Sequence, residues 1–177
     1  MATTPRTGEP APVVGARLDL LKALGYADVQ HDSHVPFLSH LIGTRRVLAE
    51  WGSRPELCDA GLFHSAYGTE FFTPEECPER STVIDVIGAD AERVAWLWCS
   101  IRRATLDPGA RTAVLRTGAV EPLTDQEVAD VATLWAADTV EQLDRMEPEI
   151  RQFANGVLAV ADFASDPARV AVRQLTF

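Results

Sequence analysis

The chain has 177 residues, 46% of them apolar and 24% charged, proportions that suit one globular domain with a single core. Its formal net charge is -10, so its surface repels phosphate backbones and anionic lipid, and neither nucleic acid nor a membrane is expected as a partner. The opening MATTPRTGEPAPVVG lacks the apolar core of a secretory signal, and no run of about 18 apolar residues is present. Cys58, Cys77 and Cys99 are widely spaced, odd in number and without a CxxC pair, which argues against a disulfide framework and for a reducing cytoplasm.

Helix formers dominate, so the fold class expected is all-α, a helical bundle with one long loop region. Residues 1–12 read as a flexible arm rich in Pro, Thr and Gly, and 13–177 as a single domain. GARLDLLKALGY (15–26) has apolar residues at helical spacing. After a polar turn, Pro36 suits the first turn of a second helix that stops at Gly52. Ser53 is placed to cap a third helix, with Pro55 and Glu56 in its first turn, running to about Ala66. YGTEFFTPEECPERS reads as a loop, 81–87 as a short helix and 90–106 as a longer one. Residues 107–123 form a loop or weak hairpin. Thr124 and Glu127 make a capping box that opens a helix ending near Met146. A further helix is expected over 148–164, followed by RVAVRQLTF as an extended tail.

Three polar residues fall on faces that should be buried. His40 borders the stripe of Phe37, Leu41, Leu48 and Trp51. His64 follows Leu57, Ala60 and Gly61 at helical spacing. Asp138 lies three residues from Trp135 and seven from Val131. A carboxylate taken from water without a partner costs several kcal/mol, so something must compensate it. An arginine or a cluster of donors would serve. Two histidines and an aspartate on three helices are also a ligand set for Zn, Mn or Fe(II).

The stretch SHVPFLSHLIGTRRVLAEWGSRPELCDAGLFHSAYGTE resembles the first half of the HD superfamily of metal-dependent phosphohydrolases, most of all the hydrolase domain of the stringent-response alarmone (ppGpp) enzymes. Pro36, His40, Val47-Leu48, Gly52 and AGLFHS follow the order of the family's Pro, HxxxVAxIL, Gly and AALLHD. DVIGADAERVAWLWCSI is similar to FGxEVAxLVxGV, and LWAADTVEQL to the closing KLADRLHN, which implies that Asp138 occupies the last metal-ligand position. The resemblance implies an HD-like helical bundle with one divalent ion held by His40, His64 and Asp138. Two departures stand out. The HD doublet becomes His64-Ser65, removing one ligand, and the acidic pair that follows becomes Gly68-Thr69, with Glu70 one place on. HSAYGTEFF is also similar to an HD-like branch carrying H-S-x-Y-G-T-E.

The expected function is a metal-dependent hydrolase acting on a small phosphorylated or amide-like molecule through a metal-activated water. Glu70 and Ser65 are the candidate catalytic residues, Glu70 as general base. Tyr67, Thr69 and Arg45 are candidates for holding substrate, with Gly68 letting the backbone approach it closely. Two alternatives remain open: a degenerate HD-like binding or regulatory module, and an iron-dependent oxygenase or lyase. No histidine follows His64, so a second metal would have to recruit His31, His34 or Glu70. A small-molecule partner is expected, and a homodimer is left open.

Overall fold

The computed structural model describes residues 11–26, 36–147 and 151–176. Seven α-helices are found among them: α1 (Ala11–Ala23), α2 (Phe37–Glu50), α3 (Pro55–Leu62), α4 (Arg80–Ile87), α5 (Ala89–Ser100), α6 (Asp125–Gln142) and α7 (Asp166–Arg173). A short antiparallel hairpin, β1 (Thr112–Val114) and β2 (Val120–Pro122), pairs Thr112 with Pro122 and Val114 with Val120. The fold is therefore the helical bundle expected. Residues 1–10 of the proposed arm, and His31 and His34, lie outside the described residues.

The chain's own chemistry fixes the two helices that matter most. Gly52, with φ of 73°, closes α2. Its amide donates to the Ala49 carbonyl and that of Ser53 to the Leu48 carbonyl, both at 3.0 Å, a Schellman ending. At the same end of the bundle, where Arg54 reaches Asp130, Thr124 and Glu127 form the capping box reciprocally, with bonds of 3.1 and 2.7 Å. The helix they open, α6, is buried on most of its circumference, with Val131, Ala132, Leu134, Ala136 and Ala137 fully covered. It packs against α2, α5 and α7, while α3 packs between α2 and α5. Positions 40 and 64 thus face position 138 across the middle of the bundle.

Several expected boundaries move. Arg54, not Ser53, is the residue before α3, and no side chain caps that helix. It ends at Leu62, so His64 stands in the turn that follows. α5 stops at Ser100 because Ile101 turns extended and bridges to Leu115 of the hairpin. The segment Gln152–Ala159 is a 3-10 helix rather than an α-helix; it contains the helix-poor pair Asn155-Gly156, and Gly156 lies against the Trp135 ring. The tail is helical, not extended: Pro167 sits in the first turn of α7, where its missing N–H costs nothing, and Ala168 and Val172 are buried.

The loop after α3 is anchored to α5 by a buried acid. Glu92 is 1% exposed, accepts a hydrogen bond from the Tyr67 hydroxyl at 2.8 Å, and is gripped by Arg80 through two bonds of 2.6 and 2.7 Å. Replacing Glu92 with Ala leaves the phenol and the guanidinium without their acceptor. The expected loss is about 2–3 kcal/mol, read as a lowered denaturation midpoint at unchanged m-value; an unaltered midpoint would show that the anchor contributes nothing.

Candidate metal centre

His40 comes from α2, His64 from the turn beyond α3, and Asp138 from the buried face of α6. Their side chains converge. His40 Nε2 lies 3.1 Å from His64 Nε2 and 3.1 Å from Asp138 Oδ1, and His64 Nε2 lies 3.4 Å from the same oxygen. Both histidines are 2% exposed and Asp138 is 9% exposed. Among the described residues this is the His/Cys/Asp/Glu group arranged to hold a metal ion.

The outer nitrogens decide what the inner ones can do. His40 Nδ1 is 2.5 Å from Glu141 Oε2, and His64 Nδ1 is 2.6 Å from the Gly61 carbonyl oxygen. Both partners only accept, so each Nδ1 carries a proton and each neutral ring turns a bare Nε2 lone pair inward. Two lone pairs and a carboxylate oxygen then share one small space. Only a positive charge between them makes this tolerable. Ligands at about 2.0–2.1 Å from a tetrahedral ion lie about 3.3–3.4 Å apart, close to the spacing found. The donor set also suits a divalent ion: two imidazoles and a carboxylate, each already bonded from behind. Asp138 Oδ2 accepts from Gln142 at 3.1 Å.

Without a metal, protons fill the gap. Burial by itself pushes the His40 imidazolium down, but the hydrogen bonds to Asp138 and Glu141 outweigh it and raise its pKa to about 9. Burial likewise favours the neutral carboxyl of Asp138, yet the bonds to His40 and His64 hold it far below the usual carboxylate range. Glu141 is lowered too, against burial, by His40 and Arg145.

The backbone around His64 is pinned from two sides. Cys99 donates its thiol to the His64 carbonyl at 3.2 Å, and burial pushes that thiol up to about 12, so it stays protonated as a donor. The Tyr26 hydroxyl donates to the carbonyls of Ser65 and Ala66 at 3.1 and 3.3 Å. The Trp98 ring stands edge-on to His64, with centroids 6.1 Å apart. All three cysteines are free thiols.

The remaining sequence candidates have structural partners. Tyr67 gives its hydroxyl to Glu92, and burial together with that carboxylate holds its pKa above the ordinary phenol range. Thr69 Oγ1 accepts from the amides of Phe71 and Phe72 at 3.2 and 3.1 Å, a turn within the loop. A Cβ at Gly68 would meet the Phe72 carbonyl oxygen at 2.9 Å, so its close approach is to its own loop. Glu70 accepts from the Arg103 amide at 3.0 Å and pairs with its side chain at 3.5 Å. Arg45 Nε is 3.7 Å from the buried Asp59, which Arg17 also holds at 2.5 Å. Ser65 is buried directly beside His64. Sequence reasoning missed Glu141, Tyr26 and Cys99. The one available signal for Glu141 was its place one turn beyond Asp138.

Comparisons with known proteins bear on the fold. A family model described as a domain of unknown function (DUF6817) matches residues 20–103, a span that holds both histidines and ends before Asp138. No curated protein matches the chain. Among solved structures, one described as a metazoan ortholog of SpoT that hydrolyzes ppGpp and plays a role in starvation responses is similar to it. The TM-score is 0.64 at 12% identity, over 96% of each chain. At that identity the likeness is one of fold, and the fold is HD-like. No helix among the described residues is long and apolar enough to cross a membrane.

The raised pKa of His40 carries a pH signature. In metal-free protein its stabilising contribution is complete below the unfolded value of 6.5 and is lost as pH rises through about 9, a fall of about 3 kcal/mol. Melting in the presence of chelator should therefore drop between pH 6.5 and 9.5. Saturating Zn2+ should remove the drop, because the ion replaces the proton. Parallel curves with and without metal would contradict the arrangement.

Proposed function

We propose that the chain is a metal-dependent hydrolase of the HD-like superfamily, acting on a small phosphorylated or amide-like molecule. The observation that supports this best is the meeting of His40 Nε2, His64 Nε2 and Asp138 Oδ1 at 3.1–3.4 Å, with both outer nitrogens already donating to acceptors. These three residues would hold one divalent ion, Zn, Mn or Fe. When bound, such an ion lowers the pKa of a coordinated water towards about 7 and polarises a phosphoryl or acyl oxygen. The chain's own part is to hold three ligands rigid, leave further coordination positions to water and substrate, and shield the site behind Trp98 and Phe37. Ser65, beside His64, offers a neutral hydroxyl where the HD pattern has a carboxylate. Glu70 can act as a base only by leaving Arg103. The description of the structural neighbour makes ppGpp a natural member of any substrate panel. The free cysteines support a reducing compartment, the cytoplasm.

A second reading, a binding or regulatory module without catalysis, is favoured by the same two features. Ser65 supplies no charge to the ion, and Glu70 is engaged by Arg103. Elemental analysis separates the two readings. The hydrolase reading expects about one equivalent of Zn, Mn or Fe, hydrolysis of at least one compound in a panel of ppGpp, phosphomonoesters and small amides, and loss of both on chelation. His64→Ala and Asp138→Ala should each weaken metal binding by on the order of 100-fold or more. Protein without stoichiometric metal would favour the module. Iron accompanied by oxygen consumption would favour an oxygenase, and full metal in both variants would refute the ligand assignment.

A further inference from the structure

Glu141 lies in the LWAADTVEQL stretch but carries no role assigned from the sequence, yet its side chain is only 7% exposed and both its oxygens are engaged. Oε2 accepts a hydrogen bond from His40 Nδ1 at 2.5 Å, and Oε1 accepts one from Arg145, one turn along, at 2.5 Å. The path it follows is unusual. A Cβ at Gly43 would lie 2.5 Å from Glu141 Oε1 and 2.8 Å from both Cγ and Cδ. Gly43 is buried inside α2, one turn after His40, where glycine weakens a helix relative to alanine. The missing side chain is what leaves room for the glutamate. Three residues therefore make one device: a slot in α2, an acid from α6 lying in it, and an arginine from the 3-10 turn after α6 (Leu143–Arg145) holding the acid's other end.

We propose that Glu141, seated in the Gly43 slot and gripped by Arg145, is a positioning residue that fixes the His40 ring so that Nε2 points at the ion. The proposal rests on the metal reading for its consequence, but its geometry is independent of it. A histidine ligand free to turn about χ2 would spend part of its time with Nε2 aimed elsewhere; a second bond at Nδ1 removes that freedom and makes the ring a better electron donor.

The test uses the full chain and Zn2+ competed against a chelating dye. Glu141→Gln keeps an acceptor for the Nδ1 proton and should weaken affinity by no more than about 10-fold. Glu141→Leu cannot accept and should weaken it by about 100-fold. In the Zn2+-loaded wild type the His40 Nδ1 proton should exchange slowly by NMR, and this protection should persist in the Gln variant and vanish in the Leu variant. Gly43→Ala should lower affinity in the wild type, yet lower it no further in a Glu141→Ala background, where it should instead raise the melting temperature. Folded Gln and Leu variants with wild-type affinity, or additive losses at positions 43 and 141, would overturn the proposal. If the wild type takes no ion, the metal reading alone fails. The melting temperatures then decide: Gly43→Ala lowering that of the wild type and raising that of Glu141→Ala supports the proposal, and equal shifts refute it.

Discussion

Two imidazole nitrogens and a carboxylate oxygen, all acceptors, meet in the interior at 3.1–3.4 Å, and only a positive charge lets them stay there. A buried anion with one weak partner would cost several kcal/mol. Here the compensation is built in layers. Either a proton on His40 or a divalent ion neutralises the centre, Glu141 and the Gly61 carbonyl hold the rings from behind, and Arg145 balances Glu141. A positive charge, whether proton or cation, is thus a component of the packing, which ties stability and pH to a single point.

Much of the rest of the fold serves to keep that point from drifting. α2 and α6 lie side by side, close enough that a side chain from one fills the place of a Cβ in the other. The turn that carries His64 closes with short bonds of its own, from the Ala66 amide to the Phe63 carbonyl at 2.9 Å and from the Gly68 amide to the Ser65 carbonyl at 3.0 Å, but these leave the His64 carbonyl unmet. It depends on Cys99 and Tyr26, which take up its carbonyls. Beyond it, the loop is held by Glu92 and Arg80, and by Arg116 at the hairpin, which donates to the carbonyls of Thr69 and Tyr67 at 3.0 and 3.3 Å. The hairpin therefore has a structural purpose that its three-residue strands would not suggest.

The three converging residues were legible because each breaks a pattern: a polar side chain on an apolar face is visible without knowing what it faces. The capping box and the Gly52 ending were legible for a related reason, since both are local and their hydrogen bonds span only a few residues. Glu141 was hidden. EQLDR at the end of a helix looks like a solvated terminus, and its burial depends on Gly43, a residue on a different helix far away in sequence. Tyr67 and Glu70 look like free loop residues for the same reason, because Glu92 and Arg103 reach them only in the folded chain. The tail misled through composition: RVAVR alternates like a strand, whereas the Asp166-Pro167 start and the burial of Ala168 and Val172 make it a helix.

If His40, His64 and Asp138 hold an ion as proposed, Ser65 leaves that centre with less negative charge than a carboxylate at the same position would. A carboxylate at position 65 would add a second negative charge to the ion's surroundings, lowering its Lewis acidity while tightening its hold. With Ser65 the charge of the proposed ligands is that of Asp138 alone, and a divalent ion there would keep a net positive charge. Such an ion would polarise a bound water or phosphoryl oxygen more strongly than one held by two carboxylates, and would attract anions into an otherwise acidic protein. Weaker binding of the ion would be the counterpart, and Glu141 would work against it from behind the ligands: its charge lies behind His40, where it would strengthen the donor without neutralising the ion directly. A carboxylate behind the histidine, in place of a second one on the ion, would let a three-ligand centre be both occupied and electrophilic.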